Sequence, residues 1–135
     1  MFTALVLAAG LVTAPAVTSA PVEPLKVDMD ALKTGQLPAA GTREEADACA
    51  VHTQLVAIFV VGSGKFPKER VDQVTDVARA WLQRAGDFRK VTADVMQSDK
   101  ASSDVVMAWA KVIGADQLGP LESECVNRLG DPEAK

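Results

Sequence analysis

Residues 42–64 read TREEADACAVHTQLVAIFVVGSG, and the rest of the chain is organised around this stretch. Thr42 and Glu45 form the S/T-x-x-E pattern of a capping box, in which two side chains satisfy free backbone N–H groups at the start of a helix. Carboxylates in the first turns of a helix are favoured by its dipole, and three follow here: Glu44, Glu45 and Asp47. We therefore predict that a helix begins at Thr42 and that its dipole alone accounts for the acidic group.

The second half of this stretch, residues 55–61, is apolar on every side. This pattern is typical of a helix that is surrounded by other elements. The same segment could form a buried strand, but a lone strand would have no partner in a chain without other alternating segments. We therefore predict a buried central helix, which Gly62 and Gly64 are expected to end.

Four further helical segments follow along the chain. Pro67 marks the start of the second, whose apolar residues recur at three-and-four spacing until Gly86. The later segments are placed by residues that can begin a helix: Asp87 for the third, Ser102 or Ser103 for the fourth, and Asp116 or Gly119 for the fifth. Because the connections are short, the sequence predicts an all-α fold, a compact bundle of four to five short antiparallel helices over residues 42–130, with residues 131–135 as a tail.

The chain has two cysteines, Cys49 in the first predicted helix and Cys125 in the last. In an exported protein one pair of cysteines is typical of one disulfide, which here would close the bundle. In the chain-entropy model a loop of this length contributes roughly 4.5 kcal/mol to stability. The alternative is a metal site or a nucleophilic Cys–His pair, because Cys49 and His52 share a helical face. No second histidine or conventional zinc spacing supports that alternative.

The N-terminal residues have the composition of a signal peptide. Residues 4–12, ALVLAAGLV, form an apolar region that is too short to span a bilayer, and small residues follow it. We expect residues 1–20 to be the signal peptide, with cleavage after Ala16 or after Ala20. This prediction places the mature protein in the periplasm or outside the cell, without stable membrane insertion.

Residues 21–41 are rich in proline and glycine and are predicted to form a flexible arm or linker. Asp28 can cap a short helical turn within this segment.

The chain of 135 residues fits one domain and carries a formal net charge of −4. An acidic chain without a basic stripe is a poor candidate for binding nucleic acid or anionic membranes. A small basic cluster, Arg84, Arg89 and Lys90, is expected to lie at the solvated surface.

Two residues are candidates for binding. His52 is the only histidine; a structural role in the core is favoured over a ligand role. Phe66 follows the Gly62–Lys65 turn, where an aromatic side chain could contact a partner. The turn resembles part of a phosphate-binding loop, but Phe59 and Phe66 occupy positions where the motif needs glycine and Ser or Thr. No catalytic set, metal site or cofactor site can be assembled.

In layout, helices with one disulfide, the chain resembles small bacterial periplasmic proteins such as acid-stress chaperones and immunity proteins against secreted toxins. The resemblance and the lack of a catalytic set together predict a non-enzymatic module that binds another protein as a chaperone, inhibitor or immunity protein does. The alternative is a carrier of a metal, haem or small molecule in the bundle core near His52. The sequence does not decide the oligomeric state.

Overall fold

The computed structural model describes residues 21–130; the predicted signal peptide and the C-terminal tail lie outside this range. Within it the chain forms helices and no strands, which confirms the all-α prediction. The helices are α1 (Met29–Lys33), α2 (Arg43–Ser63), α3 (Lys68–Arg89), α4 (Ala93–Ser98), α5 (Lys100–Val112) and α6 (Ala115–Leu129). The first of them, α1, is the short turn that Asp28 was predicted to cap, and the Asp28 side chain accepts a hydrogen bond from the Ala31 N–H.

The start of α2 has the predicted capping geometry. Thr42 Oγ1 accepts a hydrogen bond from the Glu45 N–H at 3.1 Å, and Glu45 Oε1 accepts one from the Gly41 N–H at 2.9 Å. The helix passes through Gly62 and ends before Gly64, whose φ of 68° is in the left-handed region that glycine tolerates best.

Three predicted helix boundaries were wrong. Asp87 does not begin the third predicted helix but lies inside α3, and α4 begins only after Thr92, whose side chain accepts a hydrogen bond from the Val95 N–H. Gly86 does not end α3 but lies inside it, where its lack of a side chain allows the backbone carbonyl of Val91 to approach closely. Neither Ser102 nor Ser103 caps α5; Asp99 does, since its side chain accepts a hydrogen bond from the Ser102 N–H.

The disulfide between Cys49 and Cys125 joins α2 to α6, with a Cα–Cα distance of 5.6 Å. The predicted pairing is therefore confirmed. Both cysteines are fully buried, as are Trp81 and Trp109 in the same core. The indole N–H of Trp81 donates to the Cys125 carbonyl at 3.1 Å, so the polar atom of this large side chain is satisfied inside the core.

The segment before α2, which we expected to be a flexible arm, packs against the helices. Leu25 and Leu32 are each only 1% exposed and belong to the main core. The Leu25 N–H donates to Ser102 Oγ at 2.9 Å, which ties this segment to α5. The apolar side chains among its prolines give the segment enough buried surface to pack.

Candidate functional site

The two halves of α2 lie in different environments. Residues 45–53 are all buried, whereas three large apolar side chains in the second half are about half exposed: Ile58 at 53%, Phe59 at 56% and Val61 at 52%. The prediction that residues 55–61 are surrounded by other elements is therefore wrong. The second half of α2 combines a packed side with an exposed apolar side.

The reason lies in the lengths of the helices. The α2–α3 hairpin is built from helices of 21 and 22 residues, against 13 for α5 and 15 for α6. At a rise of about 1.5 Å per residue the hairpin exceeds those neighbours by about 10 Å. Near its turn, Val56 and Val60 of α2 pack mainly against Val74 of α3 in a small separate cluster. The shorter helices leave the other side of α2 uncovered there.

Two aromatic residues lie at the end of the hairpin. Phe66, the candidate binding residue, is 40% exposed in the turn between α2 and α3. Its ring packs edge-on against the ring of Phe59, with centroids 6.5 Å apart. We call Phe59 and Phe66 the aromatic tip; the structure brings them together at the surface.

A groove runs along the hairpin between α2 and α3 and reaches the α4–α5 junction. Its volume is about 640 Å³. We call it the α2–α3 groove, and its lining residues are Gln54, Ala57, Ile58, Val61, Gly62, Thr75, Ala78, Arg79, Leu82, Gln97 and Ser103. Most of these side chains are apolar or small, so the groove presents an apolar concave surface to solvent.

Five polar side chains interrupt the apolar lining of the groove: Gln54, Thr75, Arg79, Gln97 and Ser103. Gln54 Oε1 is buried and has no hydrogen-bond partner among residues 21–130. Arg79 is the one charged lining residue, and its Nη1 donates to Asp94 Oδ1 at 2.8 Å. The Arg79 guanidinium lowers the pKa of the Asp94 carboxyl through this hydrogen bond and its charge. The one charged side chain in the lining, Arg79, is thus already paired with a carboxylate.

The exposed apolar surface at the end of the hairpin is as large as the largest apolar patch on a typical monomeric protein. Ile58, Phe59, Val61 and Phe66 are between 40% and 56% exposed, which leaves roughly 400 Å² of apolar surface in contact with water. The largest such patch on a monomeric protein commonly marks an interaction site. Sequence analysis identified only Phe66 of this set. The sequence signal for Ile58, Phe59 and Val61 was the apolar segment of α2, which extends beyond the part that the neighbouring helices can cover.

His52 lies inside the bundle, away from this surface. It is fully buried; the Trp109 indole N–H donates to its Nδ1 at 3.1 Å, and its Nε2 lies 2.9 Å from the Leu118 carbonyl oxygen. Because an indole N–H can only donate, Nδ1 is the acceptor and Nε2 carries the proton. Burial lowers the pKa of His52. Both ring nitrogens are engaged, and neither offers a lone pair to a metal or a haem iron.

The Cys49 thiol is consumed by the disulfide, so Cys49 and His52 do not form a nucleophilic pair. Across residues 21–130 no group of three or more His, Cys, Asp or Glu side chains is placed to hold a metal ion.

The acidic residues at the start of α2 do more than complement the helix dipole. Asp47 forms a bidentate ion pair with Arg89, with N–O distances of 2.8 Å, and both side chains are only 3% exposed. Glu45 pairs with Arg128 at 3.0 Å. The expectation that the dipole alone explains these acids was wrong, as was the surface placement of Arg89. Because Arg89 and Arg128 are far from Asp47 and Glu45 in the sequence, residue spacing could not predict these ion pairs.

Among residues 21–130, α2 is the one helix that is long and apolar enough to cross a membrane by length and composition. The core helix of a globular domain meets the same criterion. The buried ion pair of Asp47 and the disulfide of Cys49 both lie on α2, so we interpret its apolar character as core packing plus the exposed surface near the turn.

No protein-family model, curated protein or solved structure matches this chain. The disulfide is compatible with an extracellular location.

Proposed function

We propose that this protein is a non-enzymatic module that binds another protein through the exposed apolar end of the α2–α3 hairpin. The observation that carries the proposal is the exposure of Ile58, Phe59 and Val61 beside the α2–α3 groove. Burying this surface against a partner would contribute roughly 10 kcal/mol before the costs of association. The role would be that of a chaperone, an inhibitor or an immunity protein.

We also propose that the protein works in the periplasm or after secretion. The disulfide supports this location, since such bonds persist in oxidising compartments. The apolar residues 4–12 followed by small residues support export, although they lie outside the described residues.

The carrier hypothesis has no comparable support. A metal or haem carrier would need His52 as a ligand, and the two hydrogen bonds of the imidazole occupy both ring nitrogens.

Co-isolation under native conditions tests the proposed function. Wild-type protein is compared with Ile58→Glu, which places a charge in the apolar surface, and with Asp104→Lys, which changes charge at an exposed position of α5. We expect wild type and Asp104→Lys to retain a protein partner that Ile58→Glu loses. The proposal is contradicted if Ile58→Glu retains the same partner, or if none of the three proteins co-isolates with another protein.

A further inference from the structure

We infer that protonation of His52 opens one corner of the bundle, the connection between α5 and α6. We call residues 105–117 the α5–α6 corner. The device is a pH-sensitive switch: the corner separates from the core in acid, while α2, α3 and the disulfide-bonded half of α6 stay folded. It is independent of the proposed protein-binding function.

His52 of α2 makes two hydrogen bonds that respond to a proton in opposite ways. Its Nδ1 accepts from the Trp109 indole N–H of α5 at 3.1 Å, and its Nε2 donates to the Leu118 carbonyl of α6 at 2.9 Å. An imidazolium carries an N–H at both positions. The bond to Leu118 therefore survives protonation and strengthens, whereas the new N–H faces a donor. Protonation makes only the contact with α5 repulsive.

The α5–α6 corner has few other anchors. Within the described residues 103–120, the buried side chains are those of Val106 and Trp109 alone. The next helix begins at Ala115 without a side-chain cap, and Pro120 inside it has no backbone N–H to donate. Trp109 is by far the larger of the two buried side chains. Once its contact with His52 turns repulsive, little holds the corner closed.

Firm anchors on both sides limit the opening to the corner. On the side of α5, Ser102 is buried and its Oγ accepts from the Leu25 N–H at 2.9 Å. On the side of α6, Leu121 is buried and Cys125 is bonded to Cys49 of α2. The residues between these anchors can therefore leave the core while the rest of the bundle is retained.

Burial links the opening to pH. His52 and Trp109 are both fully buried, so close packing keeps the indole from turning away in place. Burial lowers the pKa of His52 in the closed state, whereas water reaches the imidazole in the open state and restores its ordinary pKa of about 6.5. Protons therefore favour the open state. Between pH 7 and pH 5 the equilibrium constant for opening should rise by up to about 25-fold.

The charged groups around His52 do not remove this effect. The Glu122 carboxylate of α6 raises the pKa of His52, but burial lowers that pKa more strongly. Glu122 is itself paired with Arg70 of α3 at 2.7 Å. The charged residues of α5 are exposed to solvent: Lys100, Asp104 and Lys111. The buried acids of α2 are paired with arginines: Asp47 with Arg89, and Glu45 with Arg128.

Hydrogen exchange read out by mass spectrometry tests the switch. The untagged protein with its disulfide intact is labelled at pH 7 and pH 5, with times corrected for the intrinsic pH dependence of exchange. The matched control is His52→Gln, since a glutamine can accept from Trp109 and donate to Leu118 but does not titrate. We expect the protection of residues 105–113 to fall by about 10- to 25-fold in wild type and by less than about twofold in His52→Gln. Residues 121–129 should stay better protected than the corner.

A pH series on wild type alone keeps the test valid if His52→Gln does not fold. His52 is the only histidine of the chain, so a single proton should be taken up with each opening event near neutral pH. The protection of residues 105–113 should be constant above pH 7 and should fall by nearly tenfold between pH 6 and pH 5.

Three results would overturn the switch. The first is wild-type protection of residues 105–113 that does not change between pH 7 and pH 5. The second is the same loss of protection in His52→Gln as in wild type. The third is equal protection of residues 105–113 and 121–129 at pH 5, which would mean that the whole bundle opens at once. The protein-binding surface would stand in each case, since the co-isolation experiment tests it separately.

Discussion

Trp109 donates its indole N–H to Nδ1 of His52 across 3.1 Å, and this bond fixes the neutral imidazole with its proton on Nε2. Protonation of His52 would place a second proton on Nδ1. This N–H would face the indole N–H of Trp109, which cannot accept a hydrogen bond. The hydrogen bond between these two side chains therefore exists only while the histidine is neutral.

Stability is therefore expected to depend on pH through His52. Burial lowers the pKa of His52 in the folded state below its ordinary value of 6.5. The unfolded chain binds a proton as pH falls through about 6.5 while the folded chain does not. Stability should be unaffected by this group above pH 7 and should decline as pH falls from about 7 to 5. Urea unfolding at several pH values measures the decline.

A His52→Gln variant is the control for this pH dependence. Its stability at pH 7.5 should be lower than that of wild type, but it should lose the part of the decline between pH 7 and 5 that His52 causes. Exposed Glu23 and Asp94 have lowered pKa values, so they add little within that window. An unchanged slope in His52→Gln would show that other groups cause the decline.

Removing the buried carboxylate of Asp47 should be strongly destabilising. Asp47→Asn leaves Arg89 buried without its counter-charge and weakens the hydrogen bond from the Lys26 N–H. The loss should be about 3–5 kcal/mol, measured by urea unfolding. Limited proteolysis should also cut residues 21–28 faster, because this segment is held partly by Asp47.

The exposed ion pair of Asp94 supplies the control: Asp94→Asn should leave the unfolding midpoint nearly unchanged. Equal effects of the two substitutions would refute a structural role for the buried pair.

Two glycines in helices should respond to alanine in opposite directions. A Cβ at Gly86 would lie 2.5 Å from the carbonyl oxygen of Val91, so Gly86→Ala must displace backbone and lower the thermal midpoint. A Cβ at Gly62 would meet nothing within 4 Å. Gly62→Ala should therefore stabilise the protein by about 0.5–1 kcal/mol through helix propensity and reduced chain entropy. Destabilisation by Gly62→Ala would mean that α2 does not continue through this residue.

Neighbouring residues near the end of α2 should differ in their contributions to stability. Val56 is 3% exposed, and Val56→Ala should cost about 2 kcal/mol. Ile58 is 53% exposed, and Ile58→Ser should cost less than about 1 kcal/mol. The Ile58→Ser protein should also bind less of an apolar dye such as ANS. Comparable losses of stability in the two variants would mean that α2 is covered on both sides.

The disulfide should account for a large share of the stability. Reduction should lower the free energy of unfolding by about 4.5 kcal/mol, since Cys49 and Cys125 are separated by 76 residues. Unfolding with and without reductant measures this difference. The Cys49→Ser/Cys125→Ser double variant should be insensitive to reductant, and any remaining effect there would point to a different action of the reductant.

The predictions that succeeded came from local patterns. The helices could be placed from residues close in sequence, namely the capping pair Thr42 and Glu45 and the apolar stripe after Pro67. The disulfide could be placed because the chain has only two cysteines, which allow one pairing.

The failures came from long-range packing. Whether Ile58 is covered depends on the lengths and positions of α5 and α6, and whether Asp47 is paired depends on Arg89 from another helix. No local pattern contains either relationship. The candidate surface was found only in part, through Phe66, because an apolar run without periodicity was interpreted as buried on all sides.

The most direct measurement of the central claim is carbene footprinting read out by mass spectrometry. The purified protein is labelled alone, in the presence of an extract of its native compartment, and in the same extract after protease digestion and inactivation of the protease. We predict strong labelling of residues 58–66 in the isolated protein and protection of those residues by the intact extract only, with labelling of the exposed Met107 unchanged. Weak labelling of residues 58–66 in the isolated protein, or equal labelling in all three samples, would contradict a protein-binding surface at the end of this hairpin.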